Sequence, residues 1–275
     1  MNQNKTTAKK GLTKKDIYAS YSIEYDGNGH IYHDILGWIP CVLIDGNEKI
    51  GKGVFHFSTL PTNKEYAFIV NGVEYTEKGT CPCHCVGCYA TVGNYRYEST
   101  IISNGIKTWL VRHDIDFLYR AISAQVKADK IKLLRVHASG DFCSEQYIAM
   151  WKRIAIENDG VTMWTYTKNP IAENAFDDID NFNVVKSVIA GKGFNFGHCD
   201  YILSLYEYLK SLDKKVYICR CGIDKNQHCV NCSHCATSDY VLFIEHSTEY
   251  KAEKDPLFPI LKALIESQSE TEQTA

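Results

Sequence analysis

The chain has 275 residues and a formal net charge of −3, with 45% hydrophobic and 23% charged residues. That is the composition of a folded chain with a sizeable core, and its bulk charge excludes nucleic-acid binding by net positive charge alone. No apolar run approaches the roughly 18 residues of a membrane helix and no leader-like segment opens the chain, so a cytoplasmic protein is expected.

Residues 1–16 carry five lysines and few apolar groups, and they read as a disordered basic tail. Alternating residues at 37–59 are β-like, with strands expected over 38–44 and 54–58. A hairpin follows, inserted over 62–79: residues 66–70 and 73–76 flank Asn71-Gly72, the pair a type I′ turn favours. Asp114 is placed to cap a helix with Ile115, Leu118, Ile122 and Val126 on one face. Residues 133–137 form a short apolar strand, broken by Ser139-Gly140-Asp141. Ser144 opens a second helix that turns Tyr147, Ile148, Trp151, Ile154 and Ala155 inward. Strands at 161–167 and 184–190 enclose a weak acidic helix at 171–179. An amphipathic helix at 201–212, strands at 216–219 and 240–245 and a last helix ending near Ser267 complete the domain. Residues 266–275 read as a disordered acidic tail, leaving one domain over 17–265.

Strands that alternate with helices predict a parallel sheet with right-handed crossovers. Six such strands make an α/β fold, an open or partial (β/α)6 barrel, whose working loops lie past the C-terminal strand ends.

Nine of the twelve cysteines fall in two short segments, 81–88 and 219–235. Disulfides are rare in the cytosol, so such clustering reads as metal binding. In the first segment Cys81, Cys85 and Cys88 are spaced C-x3-C-x2-C, with Cys83 as an extra candidate ligand. Three thiolates on one loop can hold three irons of a 4Fe–4S cluster and leave the fourth open; zinc, which takes four ligands, has no matched second pair nearby. The second segment, 219–235, holds Cys219, Cys221, Cys229, Cys232 and Cys235, ending in C-x2-C-x2-C. It suits a second 4Fe–4S cluster or a zinc ribbon equally. Cys41, Cys143 and Cys199 are scattered and read as small buried residues.

Between the segments, Ser139, Gly140 and Asp141 close a strand. A glycine admits a ligand to the backbone, and a carboxylate beside it can accept from an ammonium group, although Asp141 or Ser144 as a helix cap reads the same residues without a ligand. Thr167 and Lys168 end the next strand and are candidates to meet the same ligand. His137 reads as a satisfied interior histidine.

The cysteine spacing resembles that of the radical S-adenosylmethionine enzymes. Residues 57–61, 80–90, 135–142, 166–168 and the terminal C-x2-C-x2-C together resemble the phage gene-product-88-like family, over roughly residues 55–245. The resemblance implies a partial barrel like the radical S-adenosylmethionine core, a 4Fe–4S cluster on Cys81, Cys85 and Cys88, and S-adenosylmethionine bound with its amine near Gly140 and Asp141. It implies reductive cleavage of that cofactor to start radical chemistry, an electron donor such as flavodoxin or ferredoxin, and a place in the host cell cytoplasm. Gly87 stands where such loops usually carry an aromatic residue, and Tyr89 follows instead. The alternative is a non-catalytic Fe–S or zinc-stabilised protein that binds nucleic acid or a host protein through its basic arm, Tyr95 and Tyr97.

Overall fold

The computed structural model describes residues 11–46, 50–82, 88–187, 195–220, 223–224, 227–232, 234–245 and 251–270. In chain order the elements are α1 (Lys14–Ser20), β1 (His30–His33), β2 (Gly37–Pro40), β3 (Ile44–Asp45), β4 (Val54–His56), β5 (Glu65–Val70), β6 (Val73–Lys78), α2 (Glu98–His113), α3 (Ile115–Ala128), β7 (Leu133–Val136), α4 (Glu145–Glu157), β8 (Thr162–Thr167), β9 (Phe182–Lys186), β10 (Phe196–Gly197), α5 (Cys199–Ser211), β11 (Val216–Ile218), β12 (Tyr240–Ile244) and α6 (Phe258–Glu270). The fold is mixed α/β.

The main sheet runs β3-β4-β7-β8-β9, parallel except for its edge strand β3. A second sheet runs β10-β12-β11, all parallel. The Lys186 amide donates to Asp239 O at 3.0 Å, so the end of β9 lies against the start of β12. The last strand, β12, sits between β10 and β11 and against the end of β9, whereas strands added in chain order would put β10 next to β9 and β12 at the far edge.

One face of the main sheet packs on helices. Phe57, Leu134, Val136 and Met163 join Leu118, Ile122, Trp151 and Ile154 in the largest core. Asp114 caps α3 by accepting from Phe117 N at 2.9 Å, and Ser144 caps α4 by accepting from Tyr147 N at 3.2 Å. The opposite face carries Val54 and Trp164, with Val185 beside Tyr217 and Val241.

Several elements depart from the sequence reading. The expected basic tail already holds a helix by Lys14: Thr13 and Asp16 cap α1 reciprocally, and Lys14 pairs with Asp129 at 2.6 Å. Residues 1–10 lie outside the described residues. The acidic tail likewise begins inside α6, which runs to Glu270. Helix α2 has no counterpart in the sequence reading. Its buried stretch from Asn104 to Val111 mixes polar and apolar residues, so no apolar stripe announces it. Gly105 inside it lets Phe68 of the hairpin approach, since a Cβ there would lie 2.7 Å from that ring. Residues 171–179 form successive turns and not a helix. Their backbone bonds span three residues, as in Ala172 N to Asn169 O and Ile179 N to Phe176 O, and bury Ala172, Phe176 and Ile179. Strand β9 starts two residues earlier than residue 184, and the reading of 188–190 as strand lies outside the described residues.

The inserted hairpin pairs β5 with β6 in antiparallel register, and Asn71 and Gly72 both take positive φ, +50° and +83°. Asn71 Nδ2 also donates to Leu36 O at 2.7 Å, which joins this hairpin to the β1–β2 hairpin.

Asn181 ties helix to sheet at the start of β9. Its Nδ2 lies within 3.1 Å of the carbonyls of Ala155, Asn158 and Val161. Asn181→Ala removes this donor from all three carbonyls, of which Ala155 O and Asn158 O keep a backbone N–H, and should cost about 1–2 kcal/mol in urea denaturation, with the m-value unchanged. Asn181→Asp, which has no N–H to donate, should lose a similar amount; full stability in both variants would remove this tie from the account of the fold.

Candidate functional site

Strand β7 ends because His137 turns left-handed, with φ of +61°. Such a conformation costs a β-carbon residue about 1–2 kcal/mol, and the packed ring offsets it here. His137 Nε2 lies 2.9 Å from the Tyr147 hydroxyl, and its ring meets Phe142 edge-on at 4.6 Å. Burial pushes His137 down to about 3, so the ring is neutral.

The chain then runs into Ala138-Ser139-Gly140-Asp141, packed against the end of β4. Thr59 N donates to Ser139 O at 3.0 Å, Ser139 Oγ donates to Thr59 O at 2.7 Å, and Asn104 Nδ2 donates to Ser139 Oγ at 3.3 Å. Gly140 has φ of +82°, and a Cβ on it would lie 1.8 Å from Thr59 Oγ1 and 2.7 Å from Thr80 Oγ1. Only glycine fits that gap.

Asp141 is 5% exposed. Its Oδ1 accepts from Phe142 N at 2.8 Å and Thr167 Oγ1 at 2.7 Å, and its Oδ2 accepts from Lys168 N at 2.9 Å. Burial pushes its carboxyl up to about 6 against the pull of these three donors. All five predicted cofactor-side residues thus meet at the C-terminal ends of β7 and β8. The carboxylate, however, already uses three of its roughly four acceptor positions on the protein itself.

The first cysteine segment is held to this turn at both ends. Before it, Thr80 Oγ1 accepts from Asp141 N at 3.0 Å and lies 2.7 Å from Thr59 Oγ1. After it, the hydroxyls of Tyr89 and Tyr95 both donate to Ala138 O, at 2.6 and 3.1 Å. Cys81 and Cys88 stand at the two ends of the segment, and Cys83 and Cys85 lie outside the described residues. Tyr95, expected as an exposed contact for a partner, is committed to this tie; Tyr97 is 61% exposed.

In the second segment, Cys219 follows β11 at its C-terminal end, but Cys229 and Cys235 lie against Ile50, Val54 and Trp164, beside the beginnings of β4 and β7. Cys219, Cys232 and Cys235 also border the cluster of Val185, Tyr217 and Val241. Tyr166 Oη lies 2.7 Å from Cys235 Sγ. Asn183 Nδ2 donates to the carbonyls of Cys235 and Ser238 at 2.8 and 2.9 Å, which pins the segment to β9. The apolar inner face needs a cover, and thiols, small and polarizable, supply one. Cys221 lies outside the described residues. Of the scattered cysteines, Cys199 is fully buried, while Cys41 and Cys143 are half-buried against the main core.

Among the described residues no three histidine, cysteine or acidic side chains are arranged to hold a metal ion. In donor type, a set of thiols, the second set suits iron–sulfur or zinc. Sequence reasoning missed Thr59, Thr80 and Tyr89 as ties. The signal was there in the hydroxyl residues that end the first strand and flank the cysteines. It also passed over Arg135, a charge inside the apolar run 133–136.

No helix among the described residues is long and apolar enough to cross a membrane. No solved structure matches the chain. The chain is similar to the Gene 88 proteins of Mycobacterium phages L5 and D29, each 32% identical over 82 residues. These alignments cover 25% of this chain and 34% of each relative, so the chain spans about a third of the length of the curated relatives it matches. The family model described as gene product 88 matches residues 42–199, which include Cys81, Cys85, Cys88 and the Gly140-Asp141 turn but stop short of the terminal C-x2-C-x2-C. With more than half of its 275 residues matched, the chain belongs to the gene product 88 family.

Proposed function

We propose that this chain is an iron–sulfur enzyme of the radical S-adenosylmethionine type, working in the cytoplasm of a phage host on a substrate still to be identified. The observation that carries the reading is the tie of the first cysteine segment, at both ends, to the turn at 138–141. The Thr59 and Thr80 side chains fill the space beside Gly140, so the close approach there fixes where the segment starts.

Cys81, Cys85 and Cys88 would hold the 4Fe–4S cluster. When bound, such a cluster with one open iron supplies the single electron that breaks a carbon–sulfur bond of S-adenosylmethionine. The chain's own residues do the positioning. Thr80 and Thr59 fix the start of the segment, and Tyr89 and Tyr95 fix its end. Asp141 keeps Thr167 and the Lys168 backbone against the turn, so it works as a buttress and contributes at most one free acceptor position to a bound ammonium group. The second segment, Cys219, Cys221, Cys229, Cys232 and Cys235, would hold a second 4Fe–4S cluster or zinc. A flavodoxin or ferredoxin would supply the electron.

Anaerobic reconstitution followed by iron, sulfide and zinc analysis tests this directly. We expect about four irons on the first segment and, on reduction with S-adenosylmethionine present, release of methionine and 5′-deoxyadenosine. A colourless protein with zinc in both segments, or a brown one that leaves S-adenosylmethionine intact, would sink the reading. Cys88→Ala should remove about four irons and the cleavage while the second segment keeps its metal. Loss of both metals together would mean that the two segments are one site.

Gly140→Ala probes the turn itself. The added methyl must displace Thr59 and Thr80 and take a positive φ, so we expect a loss of about 2–4 kcal/mol in chemical denaturation and faster loss of iron to a chelator. Unchanged stability and iron retention would mean that the close approach at Gly140 does not hold the segment.

A further inference from the structure

Arg135 places a full positive charge in the middle of β7. Leu134 and Val136 on either side of it point into the helix-covered core. Arg135 faces the other way, and its Cα partners across the sheet are His56 of β4 and Trp164 of β8. Its guanidinium lies over the Tyr166 ring, 5.1 Å from the centroid. The Nε is buried and has no hydrogen-bond partner. Among the described residues the guanidinium makes no ion pair and no hydrogen bond.

Its electrostatic neighbours are the phenols of Tyr89, Tyr166 and Tyr95 and the thiol of Cys229. Tyr89 and Tyr95 close the first cysteine segment, and Tyr166 and Cys229 belong to the surroundings of the second. Arg135 therefore stands between the two.

Among the described residues, the groups that act most strongly on this charge are phenols and a thiol, not a carboxylate. His56 beside it is half-buried, and burial, with Lys107 and Arg135 nearby, pushes it down to about 4, so it is neutral. Lys107 is 2% exposed, bonded only to Ser103 Oγ at 3.2 Å and set over the Phe57 ring at 5.8 Å. The acid that acts on His56 is Asp45, exposed on the edge strand and accepting from Gly53 N at 2.7 Å.

Arg135 is half-buried, but its Nε is shut off from water with no partner, and a donor so placed is costly unless a partner arrives. Set over the Tyr166 ring and making no hydrogen bond among the described residues, the guanidinium has N–H donors to offer an acceptor. Two-oxygen anions match those donors, and an ammonium, a neutral sugar or a hydrocarbon does not. We propose that Arg135 is the receptor for a carboxylate or phosphate group of the substrate, which it holds on the inner sheet face between the two cysteine segments. The inference rests on the reading of this face as an active site and adds the chemical class of what enters it.

The test titrates inorganic phosphate and, separately, acetate into the full-length protein at constant ionic strength, followed by calorimetry and thermal shift. We expect saturable binding of at least one, with Arg135→Gln weakening it about tenfold or more and Arg135→Lys, which keeps the charge but loses the fork, falling between. Circular dichroism confirms that both variants fold; should Arg135→Gln fail to, Arg135→Lys alone carries the comparison. The preference between the two probes separates a phosphate-bearing substrate from a carboxylate-bearing one.

Absence of saturable binding by the unmodified protein, or equal affinity in the variants, overturns the inference. So does displacement of the anion by S-adenosylmethionine in one-to-one competition, which would assign Arg135 to that molecule instead. Loss of metal from Arg135→Gln without any anion binding by the parent protein would assign the charge to the thiolates, and overturns it too. Anion binding in a chain that takes up no iron upholds the inference while removing the radical reading; iron uptake and S-adenosylmethionine cleavage without anion binding do the reverse.

Discussion

The Thr80 hydroxyl lies 2.7 Å from the Thr59 hydroxyl and accepts from the Asp141 amide at 3.0 Å, and three chain segments meet at that point. One is the end of β4, one is the last residue before the cysteines, and one is the turn after β7. They can meet only because residue 140 has no side chain: a Cβ there would occupy the place of Thr59 Oγ1. The placement of the first cysteine segment thus depends on a missing atom in a strand end far away in sequence. Asp141 reinforces the arrangement from below by drawing the end of β8 onto the same turn through Thr167 and Lys168. Burial raises the cost of its charge, and three donors lower it. A carboxylate so placed stiffens the turn, which is what a site that must present a backbone edge to a ligand requires.

The inner face of the sheet obeys a second constraint. Val54, Trp164, Val185, Tyr217 and Val241 make it apolar, yet Arg135 stands in its middle. In such surroundings a charge is felt over longer distances than in water. Tyr166 serves both sides of this face at once, because its ring lies under the guanidinium and its hydroxyl lies 2.7 Å from Cys235 Sγ. Tyr166 thus touches both Arg135 and the second cysteine segment.

What the sequence disclosed follows from which forces are local. The caps at Asp114 and Ser144, the Asn71-Gly72 turn and the apolar stripes of α3 and α4 are short-range features, and each was legible. Helix α2 was not, because its buried side is chosen by Phe68 of the hairpin and by Leu60 and Ser139, which contact Gly105, Thr108 and Asn104 from elsewhere in the chain. The turns at 171–179 resembled a helix because Ala172, Phe176 and Ile179 are spaced like one, while their hydrogen bonds never extend to the fourth residue. At the site, Gly140 and Asp141 were legible as a strand-end motif, but the direction of the carboxylate was not. Which donors reach it is decided by β8, and strand pairing is a long-range choice. The same reason hid Arg135: a charge within an apolar strand is visible in sequence, but whether it meets solvent, an acid or an empty neighbourhood depends on what crosses the other face.

The family match ends at residue 199, and the cover of the inner face comes from beyond it. Val54, Trp164 and Val185 lie within the matched part, whereas Tyr217, Cys229, Cys232, Cys235 and Val241 do not. Each Å² of apolar surface left bare costs about 25 cal/mol, so the matched part could not present that face to water without some cover. The C-terminal cysteine segment is thus bound to the same folding unit by physics, whether or not the sequence match reaches it. Asn183, inside the matched part, makes the join by donating to Cys235 O and Ser238 O outside it. A relative with the same Gly140-Asp141 turn but a different C-terminal segment would have to cover the face by other means. Arg135 would then meet other neighbours.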